Sequence, residues 1–353
     1  MHFASDNSSG ASPRILDAVV RANAEVLPSY GADPHTAEAK RRIAEAFGAE
    51  PAVTLVATGT AANALALSAV VPPGGAVFCH AYAHILDEEC AAPEFYTNGG
   101  KLVGVPGRDG KIDPDALRAT LRRFPAGVAR QAQGACLSLS QATESGTLYS
   151  PAEIHQLATI AHEAGLLVHM DGARFANAVA ALGCAPADIS HAAGVDILSL
   201  GASKNGAMIC EAILVFDPAR AATLPFRQKR GGHVVSKGRF LGAQMAAYLA
   251  DHHWLDLARH ANTMADRLAT GLAAVPGVRM PWGRAINEVF PIMPAGMVEG
   301  LRAAGASFYD WDPATLPVAM QPGASDLFVR LLCSFATTPD EVDHFLEQVR
   351  ALA

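Results

Sequence analysis

Seven short β-branched or apolar runs, set between Ala-rich and turn-rich stretches, constrain this chain more than any other feature. They cover residues 53–57, 77–79, 101–105, 135–139, 167–170, 196–200 and 212–216. Each has strand length, and the text between them reads as helix at 61–70, 113–123, 151–163 and 174–181. The helix at 151 has a well-formed start. Ser150 can cap it, Pro151 suits the first turn, Glu153 favours the positive end, and Gly165 stops it. Strands alternating with helices predict an α/β fold with a mostly parallel, seven-stranded sheet between helical layers.

The alternation fades after about residue 217. A basic stretch follows at 226–239, then a long helical region at 241–272. Mixed text then predicts a strand at 288–292, a helix near 297–304, a strand at 328–333 and a last helix at 339–351. The expected organisation is a large domain over 1–240 and a smaller C-terminal α/β domain over 241–353, joined by the long helix. A chain of 353 residues suits about two domains.

Charge and cysteine usage narrow the class. Lys and Arg number 27 against 34 Asp and Glu, a net charge of −7, which argues against a nucleic-acid partner. The six cysteines form no C-x-x-C pair and read as free thiols of a reducing compartment. The first ten residues do not resemble a signal peptide, and no window of about 18 apolar residues predicts a membrane span. A cytoplasmic protein is expected.

Common site signatures are missing or weak. G-x-G-x-x-G, H-E-x-x-H and G-x-S-x-G do not occur. Gly201 and Gly206 have P-loop spacing, but Lys204 lies between them. The His252–His253 pair reads as a solvated helix face, and no metal site is expected.

Three strand ends stand out. Thr58-Gly59-Thr60 closes one strand and opens a helix, where free N–H groups and the helix dipole can seat a phosphate. Asp171 ends another strand and is followed by Gly172 and Arg174. Lys204 lies just beyond a third. Taken singly, the first reads equally well as an ordinary strand–turn–helix, and Asp171 as a turn residue. Lysine is scarce, however. Of six, Lys40, Lys101 and Lys111 read as solvated, and Lys229 and Lys237 sit among other cations. Only Lys204 follows a buried-type strand among small residues, where an amine can be desolvated for covalent chemistry. Phosphate seat, carboxylate and lysine at strand ends together describe a site for pyridoxal 5′-phosphate.

The chain resembles the low-specificity L-threonine aldolases, a group of fold type I pyridoxal-phosphate enzymes that also holds β-eliminating lyases. The resemblance rests on Phe3-Ala-Ser5-Asp6-Asn7, Tyr30-Gly31-Ala-Asp33, Gly59-Thr60-Ala-Ala-Asn63, Ala83-His84 through Glu89, Gln141-Ala-Thr143-Glu144-Ser-Gly146, His169-Met-Asp171-Gly-Ala-Arg174, Ser203-Lys204-Asn205-Gly206 and Phe328-Val-Arg330. It implies retro-aldol cleavage of L-threonine or L-allo-threonine to glycine and acetaldehyde.

The same resemblance implies roles for individual residues. Lys204 would carry the cofactor, Asp171 would partner its ring nitrogen, and Gly59 and Thr60 would bind its phosphate, with Lys237 as an added cation. His84 would stack on the ring, Arg174 would contact the ring oxygen or the substrate, and Ser5 and Arg330 would hold the substrate carboxylate. The N-terminal arm, 1–36, would contribute to the site and its interface. Tyr30 would reach a neighbouring subunit, implying a homodimer or homotetramer with shared sites. Many relatives have His where Glu144 stands, so the base for the β-hydroxyl stays open among His84, Glu89 and a water. The rival readings are an aldolase for a bulkier substrate such as phenylserine or β-hydroxyaspartate, a β-eliminating lyase, and an inactive binding subunit.

Overall fold

A computed structural model describes the whole chain, Met1 to Ala353. All seven expected strands form and join one sheet: β1 (Ala52–Val56), β2 (Gly75–His80), β3 (Lys101–Val105), β4 (Gln133–Ser140), β5 (Leu167–Gly172), β6 (Ile197–Gly201) and β7 (Glu211–Val215). Their order across the sheet is β1-β7-β6-β5-β4-β2-β3. Neighbours from β6 through to β3 run parallel, whereas β7 runs antiparallel to both β1 and β6.

Period-two alternation sends side chains to opposite faces, and both faces are covered. On β2, Ala76 and Phe78 enter the largest core, while Val77 and Cys79 enter another. On β7, Ala212 and Leu214 go one way, Ile213 and Val215 the other. Each large apolar side chain removed from water in these layers stabilises the fold by roughly 1.5–3 kcal/mol. The helix Pro151–Glu163 has the expected start as a capping box: Ser150 accepts the Glu153 N–H, and the Glu153 carboxylate accepts the Ser150 N–H.

The C-terminal part holds a second sheet in which β8 (Glu288–Val289), β9 (Ile292–Pro294) and β10 (Tyr309–Asp310) all pair antiparallel with β11 (Asp326–Leu332). Val329, Leu331 and Phe345 are buried in its core. Phe3 enters the same core from the other end of the chain, with its ring 4.9 Å from that of Phe345. Its backbone bonds to Ser307 and Leu332.

The single helix expected over 241–272 is two helices, Arg239–Leu249 and His253–Ala273. Asp251 and His252 between them take left-handed φ of 51° and 58°. No Gly or Pro marks this break. The first helix packs on Pro34–Phe47 and Pro13–Asn23, the second on Phe175–Leu182, and these separate docking surfaces override helix propensity at the joint.

Candidate active site

The carboxyl ends of β1, β4, β5 and β6 open onto one cavity of about 430 Å³, where ligands of open α/β sheets bind. Its wall includes eight residues singled out from the sequence: Gly59, Thr60, His84, Glu89, Glu144, Asp171, Arg174 and Lys204.

The start of the helix Gly59–Val70 faces the cavity. Thr58 caps it by accepting the Ala61 N–H on Oγ1 at 3.1 Å, and its carbonyl takes the Ala62 N–H. The cap thus leaves the N–H groups of Gly59 and Thr60 for an anion. Lys204 lies on a tight turn after β6, half-buried. The turn lies close against the one after β5, since a Cβ at Gly201 would sit 2.5 Å from the Ala173 carbonyl oxygen. Glycine is needed there for close approach.

Asp171 is buried and held on both oxygens. Oδ1 accepts the Ala173 N–H at 2.9 Å, and Oδ2 accepts from Asn63 Nδ2 at 2.8 Å. The same Asn63 amide nitrogen donates to Glu89 Oε1 at 2.8 Å, and that oxygen lies 2.9 Å from His84 Nδ1. The hydrogen bond to Glu89 raises the His84 imidazole above its ordinary value, against the lowering effect of burial. His84, Glu89 and Asp171 lie close enough to hold a cation; Asn63 bridges the two carboxylates, and Glu89 Oε2 is buried without a partner. Beneath them His169 bridges Ser138 and Ser199 and is held neutral, with burial lowering it to about 4.

Glu144 reaches the cavity from the turn after β4. Its Oε1 accepts from Ser140 Oγ at 2.6 Å and from the His84 N–H at 2.9 Å, while Oε2 is buried without a partner. Burial raises its carboxyl.

Four charged side chains meet at the edge of this cavity. Arg174 donates from Nε to Asp6 Oδ2 at 2.8 Å, and its Nη1 lies 3.4 Å from Glu288 Oε1. Arg330 stacks on Trp311 with its guanidinium carbon 4.2 Å from the ring centroid. Burial lowers Arg330 and raises Glu288, each partly offset by the other's charge. Burial also pushes Asp6 up, but Arg174 and Lys204 outweigh it and hold the carboxyl below its ordinary value.

The remaining candidates lie off the cavity wall. Ser5 accepts the N–H of Asn7, which does line it. Tyr30 is 63% exposed and Lys237 is exposed. They lie on adjoining segments, with the Tyr30 N–H bonded to the Ser236 carbonyl and Lys229 over the Tyr30 ring.

Asn63 and Asp6 stood in quoted motifs without an assigned role. Glu288 and Glu211 were missed altogether. Each is a carboxylate at the head of an apolar strand, and that was the signal available.

The residues fit pyridoxal phosphate: a helix start with free N–H groups, a buried carboxylate, an amine and an imidazole line one cavity of suitable size. The Beta-eliminating lyase family profile matches residues 2–292. A low specificity L-threonine aldolase of Pseudomonas aeruginosa is 39% identical, over 99% of this chain and 96% of its own length. The chain belongs to this family. Among solved structures, Leishmania major threonine aldolase superposes with a TM-score of 0.92 at 31% identity, covering 100% of this chain and 99% of its own. Sphingomonas wittichii serine palmitoyltransferase shares the fold, with a TM-score of 0.74 at 16% identity, covering 100% and 86%. As a member of the threonine aldolase and β-eliminating lyase family, the chain has the fold type I architecture and is a pyridoxal-phosphate-dependent carbon–carbon lyase. No helix is long and apolar enough to cross a membrane.

Proposed function

We propose that this chain cleaves L-threonine and L-allo-threonine to glycine and acetaldehyde. The observation that carries the reading is that Lys204, Asp171 and the Gly59–Thr60 seat line one cavity in a chain 39% identical to an enzyme of that name.

Pyridoxal phosphate, when bound, supplies an electron sink for the bonding pair left on the substrate Cα. The chain's own residues bind and orient. Lys204 Nζ provides the covalent anchor, Gly59 and Thr60 hold the phosphate, Asp171 holds a proton on the ring nitrogen, and His84 covers the ring face. Arg174, Arg330 and Ser5 hold the substrate carboxylate, Arg330 through its planar fork, which fixes the Cα–Cβ bond for cleavage. Glu144 Oε2, buried and unpartnered, receives the β-hydroxyl, and the His84–Glu89 pair stands beside it as a proton acceptor.

The cofactor-binding unit takes in 1–240 and the helix that follows, whose Leu241, Met245 and Tyr248 share its core, and the C-terminal sheet with its helices is the smaller unit that brings Arg330. The exposed Tyr30 and Lys237 lie outside the chain's own cavity, and this supports a homodimer or homotetramer in which they complete a neighbour's site. The six free cysteines suit the cytoplasm.

Product analysis tests the reading. Purified, cofactor-loaded protein given L-threonine is expected to release glycine and acetaldehyde in equal amounts. Release of a 2-oxo acid and ammonia would assign it to β-elimination instead.

A further inference from the structure

Glu211 belongs to the cavity wall, yet none of the steps above uses it. It heads β7, which lies between β1 and β6 and pairs Glu211 with Val56 on one side and Gly201 on the other. The loop joining β6 to β7 is the one that carries Lys204, so Glu211 stands at its base. The residue is 6% exposed, and Oε2 accepts the Ala202 N–H at 2.7 Å, two residues before the lysine. Burial pushes the carboxyl up to about 7, while hydrogen bonds from Ser203 and Ala202 and the charge of Lys204 pull it back.

The surroundings leave Glu211 few other roles. Lys204's charge reaches Asp6, His84, Glu211 and Glu288. Asp6 is committed to Arg174 through two hydrogen bonds, and Glu288 faces both Arg174 and Arg330. His84 is paired with Glu89. Glu211 is faced by Ser203 and Lys204 from the turn, by Cys210 beside it and by the Tyr248 phenol from the helix Arg239–Leu249. Burial raises both the Cys210 thiol and the Tyr248 phenol, so neither supplies a positive charge. Among these carboxyls, Glu211 is the one whose only nearby cation is Lys204.

We infer that Glu211 is a positioning residue for Lys204: it pins the turn that presents the amine and, when ionised, supplies a negative charge that favours a proton on the lysine nitrogen while it carries the cofactor. This inference rests on the reading of Lys204 as the cofactor lysine.

The test is a pH titration of the visible absorbance of the holoenzyme, about 420 nm for a lysine-bound protonated cofactor. In Glu211→Gln the amide oxygen can still accept the Ala202 N–H, but the charge is gone. Its titration midpoint is expected to fall by about 1 pH unit or more, the usual effect of losing an opposite charge nearby. Glu211→Asp, with the charge retained on a shorter stem, is expected to fall between Gln and wild type. An unchanged midpoint in both variants, even with a lowered melting temperature, would mean that Glu211 only caps the turn, and the inference fails. Lys204→Ala separates this from failure of the site reading. If the band persists without Lys204, the lysine assignment is wrong, whatever Glu211 does.

Discussion

At one end of the cavity, Asn63, His84, Glu89, Asp171 and Lys204 come from strand ends of a single sheet and the turns and helices that follow them. At the other, four charged groups converge from segments as distant in sequence as Asp6, Arg174, Glu288 and Arg330. The first end is stiff because the sheet's ladder places each turn, and one amide, Asn63, joins two carboxylates within it. The second end exists only when the N-terminal arm and the C-terminal sheet are docked, with Phe3 buried in the C-terminal core. Damage at the sheet end is therefore expected in the chemical step, and damage at the assembled end in substrate binding.

The largest effect should come from the sheet end. Asp171→Asn removes the carboxylate proposed to partner the ring nitrogen while Asn63 still has an oxygen to meet, so kcat should fall roughly 10²- to 10⁴-fold with cofactor still bound. Steady-state kinetics and absorbance together measure this. At the assembled end, Arg330→Lys loses the bidentate fork and the stacking on Trp311. KM should rise by about tenfold with kcat changed far less. A large fall in kcat for Arg330→Lys would erase the distinction between the two ends.

A finer test uses pH. Because Glu89 raises His84, the pair stabilises the fold below the ordinary histidine value, and that contribution is lost as pH rises through the raised one. Glu89→Gln should lower the His84 titration, followed through histidine ring-proton NMR shifts, and should flatten this part of the stability profile. The smallest effect on turnover is expected from Val329→Ala in the C-terminal core. It should cost about 2 kcal/mol of stability, read by thermal melting, and any kinetic change should appear in KM.

The same contrast explains what could be read from the sequence. The seven strands and the helix Pro151–Glu163 were legible because apolar runs and capping residues are local signals. So were Gly59, Asp171 and Lys204, each just beyond a run. The break at Asp251–His252 was not legible, since it follows from two helices docking on different partners. Nor were Glu288, whose meaning depends on Arg174 and Arg330 arriving from elsewhere in the chain, and Glu211, whose meaning depends on a turn that folds back on its own strand. Lys111, read as solvated, is half-buried against Glu153 at 2.7 Å. Its partner lies 42 residues away and leaves no local trace.

The account turns on one nitrogen, and with only six lysines the question has a direct answer. Borohydride reduction of the holoenzyme fixes a lysine-bound cofactor in place, and peptide mass mapping then locates it. The label is expected on Lys204 alone. A label on Lys40, Lys101, Lys111, Lys229 or Lys237, or no label on a protein that still turns over L-threonine, would contradict the assignment.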